Sequence, residues 1–160
     1  MIRRFLASFS VVVALLAPQL AQARGELVLL GGYEAGTIVV VTGARQLYYV
    51  LGDGRAIRYP VGVGRAGMAW HGRAYVAQKL VRPAWSQQPG VTPTIPGGSP
   101  RNPMGEAVLG LDRGNYAIHG TNDPSSIGHF VSHGCIRMYN QDIVDLYSRV
   151  RVGTAVYVLP

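Results

Sequence analysis

The chain reads as a mainly β domain with antiparallel pairing, wrapped into a curled or sandwich-like sheet. Three observations predict this. Short runs rich in Val, Ile and Tyr recur from Thr37 to Val81 and again from Glu106 to Leu159. Glycine-containing turns separate them, and one segment alone, near the C-terminus, carries helical periodicity.

Residues 1–23 have the three parts of a secretory signal. Arg3 and Arg4 supply charge, Phe5 to Ala17 form an apolar run, and Ala21-Gln22-Ala23 offers a small-x-small cleavage site. The apolar run falls short of the roughly 20 residues a bilayer-spanning helix needs. An exported chain is expected, with an uncleaved anchor as the alternative. Arg24 to Ala35 reads as a lead-in segment, and the domain proper, residues 36–160, starts near Gly36.

Within that domain, Thr37 to Thr42, Gln46 to Leu51 and Ala56 to Val63 are the first strands. Gly43-Ala44 and Gly52-Asp53-Gly54 punctuate them as a meander of hairpins. Ala74 to Val81 continues the sheet. Arg82 to Pro103 then carries six prolines and three glycines, a long aperiodic loop of the kind that serves function as a lid or binding wall. Glu106 to Leu111 and Tyr116 to His119 return to strand character. Asn140 is placed to cap a helix over Gln141 to Val150, with Ile143, Leu146, Tyr147 and Val150 on one stripe. Gly153 ends that region, and Thr154 to Leu159 is the last strand.

Fifteen basic residues against eight acidic ones give a net charge of +7. Loss of Arg3 and Arg4 with a signal would leave +5. Such an excess suits an anionic polymer or surface. The arginines are scattered and form no basic run, which argues against nucleic acid.

The single cysteine, Cys135, lies in Ser132-His133-Gly134-Cys135-Ile136-Arg137, after an isolated Ile118-His119-Gly120-Thr121. A free thiol is only a few per cent ionised at neutral pH, and the thiolate is the nucleophile. A histidine that folding brings close can take the proton. Glycine before the sulfur lets the main chain approach a substrate carbonyl, so that N–H groups face the oxyanion. A lone cysteine is also commonly a small buried hydrophobe. In an exported chain an unpaired cysteine points instead to a reactive thiol. A zinc site built from His119, His129, His133 and Cys135 is a rival, though the spacing fits no common pattern.

His119 with Ser132-His133-Gly134-Cys135 closely resembles the catalytic signature of the YkuD-type L,D-transpeptidases. The resemblance extends over about Gly36 to Leu159. It takes in Tyr59-Pro60-Val61-Gly62-Val63-Gly64-Arg65, Thr92-Pro93-Thr94, Asn102-Pro103-Met104-Gly105 and Gly153-Thr154-Ala155-Val156. It implies a sandwich-like mixed sheet with one or two short helices, and an enzyme of the cell envelope, in the periplasm. Its substrate would be a peptidoglycan stem peptide, cut between the L-centre diamino acid at position three and D-alanine. The acyl group would pass to another stem peptide as a 3→3 cross-link, or to an outer-membrane protein. With water as acceptor the same site is a carboxypeptidase or endopeptidase. A non-catalytic module that binds the cell wall is the remaining alternative. No metal or cofactor is implied, and the oligomeric state stays open.

The resemblance also implies roles. Cys135 matches the nucleophile and His119 the general base, its ring oriented by the Gly120 carbonyl. Main-chain N–H groups of His133, Gly134 and Cys135 match the oxyanion hole. Ser132 and His133 hold the turn and substrate. Arg137 grips a substrate carboxylate, at a position where many members carry asparagine. Tyr59 is a candidate substrate contact, although it, Trp70 and Trp85 also suit core or loop-anchoring positions. His129 is expected on a solvent-facing turn.

Overall fold

The computed structural model describes residues 25–160, so the signal reading of residues 1–23 lies outside the described residues. The strands follow in chain order as β1 (Glu26–Leu29), β2 (Ile38–Val41), β3 (Gln46–Gly52), β4 (Arg55–Pro60), β5 (Val63–Gly64), β6 (Gly72–Val81), β7 (Ala107–Leu111) and β8 (Ala117–His119). A 3-10 turn at Pro124–Ser126 leads to β9 (Phe130–Ser132), β10 (Ile136–Arg137), helix α1 (Asn140–Arg149) and β11 (Ala155–Leu159). The mainly β class holds. Among the described residues no helix is long and apolar enough to cross a membrane.

Nine strands form one sheet in the order β1-β4-β3-β2-β11-β6-β7-β8-β10, with β5 and β9 paired beside it. The expected meander is present as β2-β3-β4. Asp53 and Gly54 turn β3 into β4 with φ values of 51° and 68°, the left-handed pair that a two-residue hairpin of this twist requires. Pairing is not antiparallel throughout. β11 runs parallel to β2, β10 to β8 and β9 to β5. Each of these pairs is joined by a long connection, which permits the crossover that parallel neighbours need.

One cluster of buried side chains draws on both halves of this sheet. Ile38, Leu47 and Tyr59 from one half meet Leu109, Ile118 and Ile136 from the other. The sheet therefore curls around its core, and β6 carries a register irregularity between Val76 and Gln78, of the kind that bends a strand. α1 packs on β7 and β8 and buries Ile143 and Leu146, as its stripe predicts. Each such side chain contributes about 2 kcal/mol by leaving water.

Two expectations are corrected, and the long loop gains detail. The lead-in segment contains β1, an edge strand paired with β4; Leu27 and Leu29 are exposed there, so no burial pattern marks it. Asn140 is not the helix cap, since Tyr139 takes that position without a side-chain cap. The Asn140 amide instead accepts from the N–H groups of Glu106 and Thr121 and donates to the Thr121 carbonyl. The segment from Arg82 to Pro103 is pinned: Trp85 and Ile95 exchange main-chain hydrogen bonds of 2.9 and 2.7 Å. Buried Asn102 donates to the Pro83 and Pro96 carbonyls across it.

Candidate active site

The β8–β10 pair sets the geometry. Ile136 stands opposite Ile118, and Arg137 opposite His119. Both isoleucines belong to the core. Alternation therefore turns His119 and Arg137 to the other face, and carries Cys135, which enters β10, to that face as well. Neighbouring strands lie about 4.8 Å apart, so β10 brings the Cys135 backbone close to the strand that carries His119.

His119 is buried, and its Nδ1 lies 2.6 Å from the Gly120 carbonyl oxygen. A carbonyl only accepts, so Nδ1 carries the proton and Nε2 keeps its lone pair for use as a base. The Gly120 expectation matches this contact. Burial pushes the His119 pKa down to about 4. The Arg137 cation pushes the same way, while the Gly120 and Pro103 carbonyls offset part of the shift.

Cys135 is partly buried and unpaired. Its Sγ lies 3.8 Å from the Asn115 carbonyl oxygen, to which the thiol donates. Burial raises its pKa, whereas the Ala117 N–H and the Arg137 charge pull it back. Both shifts favour the neutral form, thiol on Cys135 and imidazole on His119.

The cysteine loop is held from behind. Gly134 has φ of 121°, and a Cβ there would lie 2.4 Å from the Tyr116 ring. Tyr116 stacks on Trp70, with centroids 5.3 Å apart and planes 4° from parallel. The Trp70 indole N–H donates to the Gly134 carbonyl at 3.0 Å, so Trp70 anchors the loop. From within the loop, Ser132 Oγ accepts from the Gly134 N–H at 3.0 Å and donates to the Cys135 carbonyl at 2.6 Å.

Three site expectations change. Ser132 is buried and both its bonds are internal, so it shapes the turn and does not face substrate. The Gly134 N–H is committed to Ser132, which removes it from the oxyanion set as the loop stands. Tyr59 is corrected outright: it is fully buried in the core, and its hydroxyl bonds to Asp145 of α1. His133 is exposed, with Nε2 2.7 Å from an Arg65 guanidinium nitrogen. His129 is exposed as expected. Among the described residues no three His, Cys, Asp or Glu side chains are placed to share a metal ion.

Residues missed from sequence are the supports. Asn140 fixes the backbone just after His119 through Thr121. Tyr116 and Arg65 had no local pattern to reveal them, although Arg65 closes the Tyr59 to Arg65 block.

Comparison with known proteins gives the family to which this fold belongs. Residues 35–158 match the family model of the L,D-transpeptidase catalytic domain, YkuD. The chain is 34% identical over 145 residues to "Probable L,D-transpeptidase YbiS" of Escherichia coli (strain K12), covering 82% of this chain and 46% of that protein. It is 34% identical over 146 residues to "Probable L,D-transpeptidase ErfK/SrfK" of Salmonella typhimurium, covering 84% and 47%. The chain thus spans less than half the length of these relatives. Among solved structures, L,D-transpeptidase 3 from Mycobacterium tuberculosis with a faropenem-derived adduct superposes with a TM-score of 0.63 at 17% identity, covering 78% of this chain and 60% of that one. The Enterococcus faecium L,D-transpeptidase catalytic domain acylated by ertapenem gives 0.61 at 21% identity, covering 80% and 99%. The structural likeness shows a shared fold, and the matched family model places the chain: it belongs to the YkuD family of L,D-transpeptidase catalytic domains.

Proposed function

We propose that the protein is an exported peptidoglycan L,D-transpeptidase of the cell envelope, with Cys135 as nucleophile and His119 as general base. The observation that supports this reading is the parallel β8–β10 register, which sets Arg137 across from His119 and leaves Cys135 one residue before β10.

Nε2 of His119 takes the Sγ proton as the sulfur attacks the carbonyl carbon of the diamino acid at position three. The oxyanion is met by the main-chain N–H groups of Cys135 and His133, each worth about 3 kcal/mol where the geometry is preorganised. The imidazolium returns its proton to the departing amine, D-alanine leaves, and a thioester remains on Cys135. An acceptor amine then attacks the thioester carbonyl, gives its proton to His119, and releases the thiol as the new amide forms. The acceptor is a second stem peptide or the amine of an outer-membrane protein. The same steps with water give a carboxypeptidase.

The neutral resting pair suits this sequence. A weakly basic imidazole protonates readily only while the thiolate is consumed, so the sulfur is not left ionised in an oxidising space. Positive charge from Arg137 beside both groups supports binding of a carboxylate-bearing donor. The test is mass spectrometry of muropeptides incubated with purified protein. Cross-linked dimers with released D-alanine support the transferase, and shortened tripeptides alone support the hydrolase. Unchanged tetrapeptides would reject both and favour a binding module.

A further inference from the structure

Arginine is the common cation of this chain, and its partners differ: Arg45, Arg73 and Arg113 lie over aromatic rings. Arg55, Arg58, Arg82 and Arg149 face carboxylates of the protein itself. Arg65 does not. Among the described residues its side chain bonds to His133 alone. Arginine only donates, so His133 Nε2 is the acceptor of this bond. An accepting ring nitrogen orients the guanidinium without bringing the negative charge that an Asp or Glu in its place would. The remaining N–H donors of the fork stay open to a ligand.

The backbone places this cation at the catalytic loop. Gly62 and Arg137 exchange main-chain bonds of 2.9 and 2.8 Å, and the Arg65 N–H donates to the Ser132 carbonyl at 3.0 Å. The strap from Gly62 to Arg65 therefore spans both ends of the loop that carries Cys135. Its path is fixed by close packing. A Cβ at Gly62 would lie 2.6 Å from the Ser126 carbonyl oxygen, and one at Gly64 2.9 Å from the Ala69 nitrogen. Arg65 is exposed at the end of this strap, while His133, its orienting partner, is two residues from the sulfur.

We propose that Arg65, held in place by His133, is a specificity-determining residue that binds a free carboxylate on the donor stem peptide. The inference rests on the transpeptidase reading above. It assigns the donor class: a stem peptide whose third residue is a diamino acid ending in a carboxylate, in preference to the same residue amidated. A planar fork pairs with a carboxylate through two parallel charge-assisted bonds, which an uncharged amide cannot reproduce.

Two synthetic tetrapeptides test this, identical except that the side-chain carboxyl of meso-diaminopimelate at position three is free or amidated. D-alanine release by the full chain gives kcat and KM for each. The wild type is expected to favour the free acid by roughly tenfold or more in kcat/KM, mostly through KM. Arg65→Gln should bring the ratio near unity, with Arg65→Lys retaining part of it. His133→Ala should weaken the preference, and His133→Gln, which restores an acceptor, should recover it. Melting temperatures of all four variants establish that they fold. Equal use of both peptides by the wild type, or a preference that survives Arg65→Gln, overturns the Arg65 assignment and leaves the transpeptidase reading standing. Failure of the wild type to release D-alanine from either peptide overturns both.

Discussion

Arg137 stands directly across the β8–β10 ladder from His119, and its charge lowers the pKa of both His119 and Cys135. Those two effects oppose each other in catalysis. The sulfur ionises more readily beside a cation, while the base that must take its proton becomes weaker.

The pH dependence follows from the His119 shift. Its base form persists down to a pKa of about 4, so the acid limb of Cys135 acylation should fall near pH 4 rather than at the 6.5 of an ordinary histidine. Arg137→Gln removes a cation that disfavours the imidazolium, and should move that limb up by about half a unit or more. Stopped-flow acylation from about pH 3.5 upward, on the wild type and on Arg137→Gln, reads the acid limb of each.

His119→Ala should keep the fold and lose activity. General-base catalysis typically contributes about 10²–10⁴-fold, and that loss should appear in kcat. Turnover near the wild-type rate would remove His119 from its assigned role.

Ser132→Ala deletes two buried hydrogen bonds that shape the cysteine loop. The variant should be destabilised by about 1–3 kcal/mol in urea unfolding. Its acylation rate should also drop, since the Cys135 main chain loses its tether. A stable variant with unchanged acylation would show that the loop holds its shape without Ser132.

Asp142 is a stability prediction away from the chemistry. It is buried in α1, its Oδ2 has no hydrogen-bond partner, and burial next to Asp145 pushes its pKa up to about 7. A carboxyl whose folded pKa is raised costs stability as pH climbs from its unfolded value through 7. Asp142→Asn should therefore stabilise the protein at pH 8, by about 1 kcal/mol or more in unfolding free energy, and by clearly less at pH 5.

The long strands were legible because β-branched residues and tight turns write period-two patterns into the sequence, as Ile38 to Val41 and the Asp53-Gly54 turn do. The helix was legible from its stripe, but its start was not. Asn140 has the chemistry of a cap, and only tertiary placement gives its amide to Thr121 and Glu106. β9 and β10 are too short for any periodicity to show, yet β10 is what aligns Arg137 with His119. Cys135 and His119 stood out as candidates by residue type, and the resemblance to the family implied their roles. Tyr59 was misplaced as a substrate contact because a tyrosine beside a glycine-rich block suits either use, and burial against Asp145 decides it. The support of Gly134 by Trp70 and Tyr116 joins residues distant in sequence, with no local trace.

The central claim is that a neutral Cys135 thiol is activated by His119 across the β8–β10 pair, and intact-protein mass after exposure to ertapenem tests it most directly. The account predicts one covalent adduct on the wild type, none on Cys135→Ala, and a much slower one on His119→Ala. An adduct that persists on Cys135→Ala, or forms at the wild-type rate on His119→Ala, would contradict it.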